Sequence, residues 1–169
     1  MTDWNNYDEC LLAVKHNGLN LQYITNQTDE LCKIAVQQNG YALEYVTNQT
    51  DEICKLAVKQ NGSLKYIQNQ TYEICKIAVQ KNAYALNYII NQTDELCKLA
   101  VQKNGYALQF VKNQTDEICI FAVQQDGLAL KYVKEQTSEI IECALTQNII
   151  AKKYINIDYD ENQLRYVLK

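Results

Sequence analysis

The pair Gln-Thr recurs six times along this chain, its threonine falling at positions 28, 50, 71, 93, 115 and 137, at intervals of 22, 21, 22, 22 and 22 residues. No other feature constrains the fold as much. A fixed period of this length means that each unit is one supersecondary element, able to bury its apolar face only against its neighbours. One unit reads Thr28-Asp-Glu-Leu-Cys-Lys-Ile-Ala-Val-Gln-Gln-Asn-Gly-Tyr-Ala-Leu-Glu-Tyr-Val-Thr-Asn-Gln49, and a cysteine keeps the same ladder at Cys10, Cys32, Cys54, Cys75, Cys97 and Cys119. We divide the chain into repeats over about residues 6–27, 28–49, 50–70, 71–92, 93–114, 115–136 and a divergent 137–158. A C-terminal cap over 159–169 follows, and the whole of 1–169 is read as a single domain.

The internal spacing sets the class. Leu31, Cys32, Ala35 and Val36 fall at i, i+1, i+4 and i+5, a helical stripe rather than the alternation of a strand. Ala42, Leu43, Tyr45 and Val46 repeat it after a turn. Thr28 is placed to cap a helix through its hydroxyl, and Asp29 and Glu30 sit where negative charge favours the helix dipole. Asn39-Gly40 then closes the helix, with glycine expected to take a left-handed C-cap conformation. Each unit therefore reads as a first helix of about ten residues and a second of about seven or eight. The fold class is all-α: an α-solenoid of about seven 22-residue helix–turn–helix repeats with terminal capping segments. The absence of proline suits a chain that is helical almost throughout.

Irregularities are informative against such a background. Repeat three is one residue short at Asn61-Gly62-Ser63-Leu64, and the turn is expected to absorb the loss. Ala83 and Ile149 replace the capping glycine in repeats four and seven. A β-branched residue is a poor left-handed cap, so the turn at Ile149 is expected to be built differently. Trp4 is expected to cover the open side of repeat one. Leu164, Val167 and Leu168 are expected to close the other end on a last helix capped by Asp158 or Asp160.

The string Gln-Thr-Asp-Glu-Ile-Cys-Lys-Leu-Ala-Val, then Asn-Gly, then Ala-Leu-x-Tyr-Val, resembles domain of unknown function 4116 over about residues 6–155. That family is abundant in giant DNA viruses of amoebae and occurs in some intracellular bacteria. The resemblance implies a helical repeat and a viral protein acting inside a host cell; it implies no activity and transfers no functional residue.

Chemistry-bearing residues are accounted for by structure. The cysteines lack the close paired spacing of zinc sites, and helix axes about 8–10 Å apart set them too far apart for disulfides, so they read as small buried hydrophobes. Asn26, Asn48, Asn69, Asn91 and Asn113 each begin Asn-Gln-Thr, formally a glycosylation acceptor, but the threonine is already needed as a cap. Asp29, Asp51 and Asp94 lie four residues before Lys33, Lys55 and Lys98, which predicts acid–base pairing within each helix. Tyr23, Tyr45, Tyr66, Tyr88, Phe110, Tyr132 and Tyr154 form an aromatic ladder expected to sit mostly in the core, hydroxyls reaching the edge. His16, the single histidine, has no nucleophile arrangement around it. No catalytic residue, cofactor site or metal ligand is assigned.

The positions left free by the stack lie three apart on the second helix: Tyr41, Glu44 and Thr47; Tyr84, Asn87 and Ile90; Tyr106, Gln109 and Lys112; Leu128, Lys131 and Lys134. Stacked repeats would line these up as a ribbon of tyrosines, aliphatics and polar groups, a composition suited to protein contacts. The expected function is a non-enzymatic scaffold that binds a protein partner along this ribbon. An alternative is nucleic-acid binding through Lys112, Lys131, Lys134, Lys152 and Lys153 with Tyr106. The net charge of −4 and the nearby Glu135, Glu139 and Glu142 disfavour it. A structural virion component is a third reading, resting on the resemblance alone. With no apolar run long enough to span a bilayer, no basic-apolar leader at Met1-Thr2-Asp3-Trp4, and seven cysteines, the expected setting is a reducing intracellular compartment.

Overall fold

The computed structural model describes residues 2–61 and 64–156, which are helical with short connections and contain no strand. The expected cap over 159–169 lies outside the described residues. Two compact units divide the chain, Met1–Ile90 and Asn91–Lys169. The first holds α1 (Tyr7–His16), η1 (Gly18–Tyr23), α2 (Asp29–Gln38), η2 (Gly40–Tyr45), α3 (Asp51–Asn61), α4 (Tyr72–Lys81) and η3 (Ala83–Tyr88). The second holds α5 (Asp94–Lys103), η4 (Gly105–Phe110), α6 (Asp116–Gln125), η5 (Gly127–Tyr132), α7 (Ser138–Gln147) and η6 (Ile149–Tyr154). The η segments are 3₁₀ helices. Within each unit successive α-helices pack on one another, giving an all-α repeat fold of the solenoid class.

The first helix of each repeat forms as its sequence requires. Thr28 Oγ1 accepts from Leu31 N at 3.3 Å, and Thr93 and Thr115 do the same for Leu96 and Ile118 at 3.3 Å. Repeat one uses Asn6, whose Oδ1 accepts from Asp8 N and Glu9 N. The stripe Leu31, Cys32, Ala35 and Val36 is buried, as are its counterparts in the later repeats. Each such cap is worth about 1 kcal/mol to a helix too short to stand alone.

The second helix differs from expectation. It is a 3₁₀ helix of six residues rather than an α-helix of seven or eight. Three residues per turn place every third side chain on one face. Gly40, Leu43 and Val46 are accordingly buried, while Tyr41, Glu44 and Thr47, one residue on, are exposed.

The corner between the helices is made by asparagine, or by Asp126 in repeat six, and not by glycine. Asn39 N donates to Ala35 O at 2.8 Å, ending α2, and Asn39 Oδ1 accepts from Tyr41 N at 3.0 Å, starting η2. The residue is extended, with φ −147° and ψ 110°. None of Gly18, Gly40, Gly105 and Gly127 has a left-handed φ, so the expected C-cap role is wrong. Glycine stands there because of the next repeat. A Cβ on Gly40 would lie 2.8 Å from Ala57 O, and one on Gly127 would lie 2.5 Å from Ala144 O. The same geometry overturns the expectation at Ile149. Asn148 keeps φ −152° and accepts from Ile150 N at 3.0 Å, so that turn is built like the others.

The shortening of repeat three falls after α3, and Leu64 still takes the buried place held by Leu43 one repeat earlier. The lysine row pairs mostly between repeats. Lys55 bonds Asp51 at 2.6 Å within its helix, but Lys33 reaches Glu52 at 2.6 Å and Lys98 reaches Glu117 at 2.7 Å. Among the described residues no helix is long and apolar enough to cross a membrane.

Candidate partner-binding surface

The surface presented by the η segments is fixed from behind by the glutamine of each Gln-Thr pair. Gln27 Nε2 donates to Tyr45 O at 2.8 Å and its Oε1 accepts from Thr47 N at 3.0 Å. Gln70 holds Tyr88 O and Ile90 N at 2.8 and 3.0 Å, and Gln92 holds Phe110 O and Lys112 N at 2.9 and 3.0 Å. Gln114 and Gln136 repeat the pattern on Tyr132 and Lys134, and on Tyr154 and Asn156. A primary amide offers both a donor and an acceptor, so one side chain satisfies the carbonyl that ends the 3₁₀ helix and the N–H two residues on. In repeat three Gln49 reaches Tyr66 O at 2.8 Å and Gln68 N at 3.0 Å, so the missing residue does not disturb the clamp.

The cysteine ladder lies beneath the clamp. Cys10, Cys32, Cys54, Cys75, Cys97 and Cys119 are all buried, as expected of small core hydrophobes. Four of them also direct Sγ at a clamp amide, Cys32 to Gln27 Oε1 at 3.6 Å and Cys54, Cys97 and Cys119 to Gln49, Gln92 and Gln114 at 3.7 Å. Burial pushes the thiols of Cys32, Cys97 and Cys119 up to about 11, with the adjacent Asp29, Asp94 and Asp116 adding to the shift. Such thiols are poor nucleophiles at neutral pH. Among the described residues no three His, Cys, Asp or Glu side chains come together as a metal ion would need.

Outside the clamp lie the residues expected to meet a partner. In the unit Met1–Ile90, Tyr41 and Tyr84 are 51% and 39% exposed, Glu44 and Asn87 follow one 3₁₀ turn later, and Thr47 and Ile90 sit on the clamped linker, Ile90 being 64% exposed. In the unit Asn91–Lys169, Gln109, Lys112, Lys131 and Lys134 are exposed, whereas Tyr106 and Leu128 are half-buried.

The aromatic ladder does not lie in the core. Tyr23 and Tyr88 are 54% and 50% exposed, and Tyr45, Tyr66, Phe110, Tyr132 and Tyr154 are half-exposed. In η segments the ladder residue belongs to neither the fully buried face nor the fully solvated one, so its ring lies along the flank. Trp4 packs on the first of the series, its ring centroid 5.1 Å from that of Tyr23.

Lysines lie over several of these rings. Lys131 Nζ stands 5.0 Å from the Tyr106 centroid and 4.5 Å from that of Tyr132, and the two rings meet edge to face at 5.9 Å. Lys65 lies over Tyr66 at 4.9 Å and Lys153 over Tyr154 at 4.8 Å. The Tyr132 hydroxyl holds the Lys131 ammonium above its ordinary pKa. Burial, and then the Asp126 carboxylate, push the Tyr106 phenol up. Reading the ladder as core hid this association of Tyr132 with Lys131. The available signal was a lysine immediately before the ladder tyrosine in three of the repeats, at Lys65, Lys131 and Lys153.

A helical repeat protein whose variable positions fall on one face of its second helices is the class defined by this arrangement. The chain belongs to the family described as domain of unknown function (DUF4116), whose profile matches residues 6–50, 30–71 and 93–137, more than half of the sequence. No curated protein and no solved structure matches it.

Proposed function

We propose that the protein is a non-enzymatic scaffold that binds a protein partner on the exposed face of its 3₁₀ segments. The observation that carries this reading is the exposure of Tyr41, Tyr84 and Ile90 on backbone that is pinned from behind by Gln27 and Gln70. Tyrosine supplies large contact area at small entropic loss, and a fixed backbone reduces the ordering that association requires. The thiols beneath are protonated and covered, so they add no chemistry to this face.

The second reading is nucleic-acid binding through the lysines of the second unit, favoured by the placing of the Lys131 ammonium over two tyrosine rings. Affinity capture from lysate, with and without nuclease, separates the two. The scaffold reading expects a protein that survives nuclease and is lost from a Tyr41→Ser, Tyr84→Ser, Ile90→Ser variant of unchanged helical circular dichroism. Capture that requires intact nucleic acid, or that this variant leaves unaltered, overturns it.

A further inference from the structure

The variable positions of the two units differ in charge. In η4, η5, η6 and their linkers, the second and third members of each trio supply Lys112, Lys131, Lys134 and Lys153, with no acidic residue among them. The equivalent positions before residue 91 supply one lysine, Lys65, and one glutamate, Glu44. Four of the sixteen basic side chains of a chain of net charge −4 thus share one strip that carries no carboxylate in its own register.

Three of these lysines have contacts within the fold. Lys131 is laid over the rings of Tyr106 and Tyr132, Lys153 over Tyr154, and Lys134 Nζ donates to Lys112 O at 2.9 Å. Long cationic side chains so placed lose less freedom when a ligand arrives. Carboxylates stand beside the strip. Asp126 adjoins Tyr106, and Asp116 and Glu135 line a recess of about 190 Å³ with Lys112 and Lys134. A polyphosphate backbone, charged at every residue, would meet those carboxylates. A peptide can place its negative charges only where the lysines are.

We propose that the lysine–tyrosine strip of residues 105–156 binds an extended acidic peptide segment whose carboxylates recur about every third residue. The spacing follows from geometry. Packed helices lie about 8–10 Å apart, and an extended chain advances about 3.3 Å per residue, so three residues span one repeat. The proposal rests on the protein-scaffold reading and names the chemistry of its partner.

The test is fluorescence anisotropy with the full chain and three labelled probes: a peptide with glutamate at every third position, one of the same composition with its glutamates in a single block, and a single-stranded RNA of similar charge. The expected result is that the spaced peptide binds best. A Lys112→Ser, Lys131→Ser, Lys134→Ser, Lys153→Ser variant of unchanged circular dichroism should then lose roughly tenfold or more in affinity, as removal of close charge pairs does. Tighter binding of RNA, equal binding of spaced and blocked peptides, or a variant that binds as well as the parent overturns it. Failure here with nuclease-resistant, Tyr41-dependent capture intact would leave the scaffold standing and remove only its acidic ligand. Loss of that capture dependence would remove the scaffold itself.

Discussion

The side-chain amide of Gln114 holds the main chain around Tyr132 from one repeat away, Nε2 donating to Tyr132 O at 2.9 Å while Oε1 accepts from Lys134 N at 3.0 Å. Eighteen residues separate Gln114 from Tyr132, and the same contact recurs at Gln27, Gln70, Gln92 and Gln136. A six-residue 3₁₀ helix is longer than such helices usually run. The clamp at its end and the Asp126 cap at its start, an asparagine in the other repeats, explain its persistence. Because the clamped linker carries Lys134, the device that joins repeats also sets the outer surface.

The clamp makes a stability prediction. Gln114→Ala removes a partner from three backbone groups, Tyr132 O, Leu108 O and Lys134 N, and should destabilise the protein by about 2–3 kcal/mol, read as a lowered urea midpoint. Gln114→Glu should be worse at neutral pH, since a carboxylate would face the Tyr132 and Leu108 carbonyls that the amide now donates to. Folding would raise the pKa of that glutamate above its unfolded value. Its deficit relative to the parent should therefore shrink as pH falls toward the unfolded carboxyl pKa, near about 4.3. A deficit that grows on acidification would contradict the clamp.

Glycine at the corner is a matter of room. Gly127→Ala sets a Cβ against Ala144 O and should cost about 1–3 kcal/mol through overpacking, although the backbone there suits any residue. Thermal or urea unfolding measures it. An alanine variant as stable as the parent would show that the two repeats can separate without penalty.

The thiols make a prediction about reactivity and one about pH. Cys143, off the ladder and half-exposed, should react first with a thiol reagent in the folded protein, while the buried six wait for unfolding. Cys32, Cys97 and Cys119 have folded pKa values pushed up to about 11. An unfolded thiol ionises near about 8.5, so above that pH the unfolded state binds fewer protons and stability falls. Their contribution is complete below that pH and is lost as pH rises toward 11. A Cys32→Ala, Cys97→Ala, Cys119→Ala variant should show a shallower decline between neutral and alkaline pH; an unchanged slope would argue against buried, protonated thiols.

The legible and illegible parts of this fold divide by distance along the chain. Thr28, Leu31 and Cys32 act within one helix, so their spacing declared both the cap and the buried stripe. Gln27 recurs as faithfully as Thr28, but its partners at Tyr45 and Thr47 lie 18 and 20 residues away, and periodicity alone does not say what a repeated amide touches. The second helix misled for a different reason. Over six residues a three-residue period and a 3.6-residue period select nearly the same apolar positions, so Ala42, Leu43, Tyr45 and Val46 read as α-helix. The three-residue spacing of Tyr41, Glu44 and Thr47 was the 3₁₀ signature. Once that period is applied, Tyr45 and Tyr132 move from the core to the flank. Gly40 was assigned to backbone conformation because its true constraint, Ala57 O, belongs to the following repeat.

Partners are expected to meet the 3₁₀ face rather than the α-helices. Photo-crosslinking tests it most directly, with a benzophenone amino acid placed at Tyr41 or Gln109, and at the exposed α-helical positions Gln37 or Gln102 as comparison. A nuclease-resistant protein adduct is expected from Tyr41 or Gln109, and little from the helical pair. Adducts formed chiefly at Gln37 and Gln102 would put the partner on the α-helical surface and contradict it.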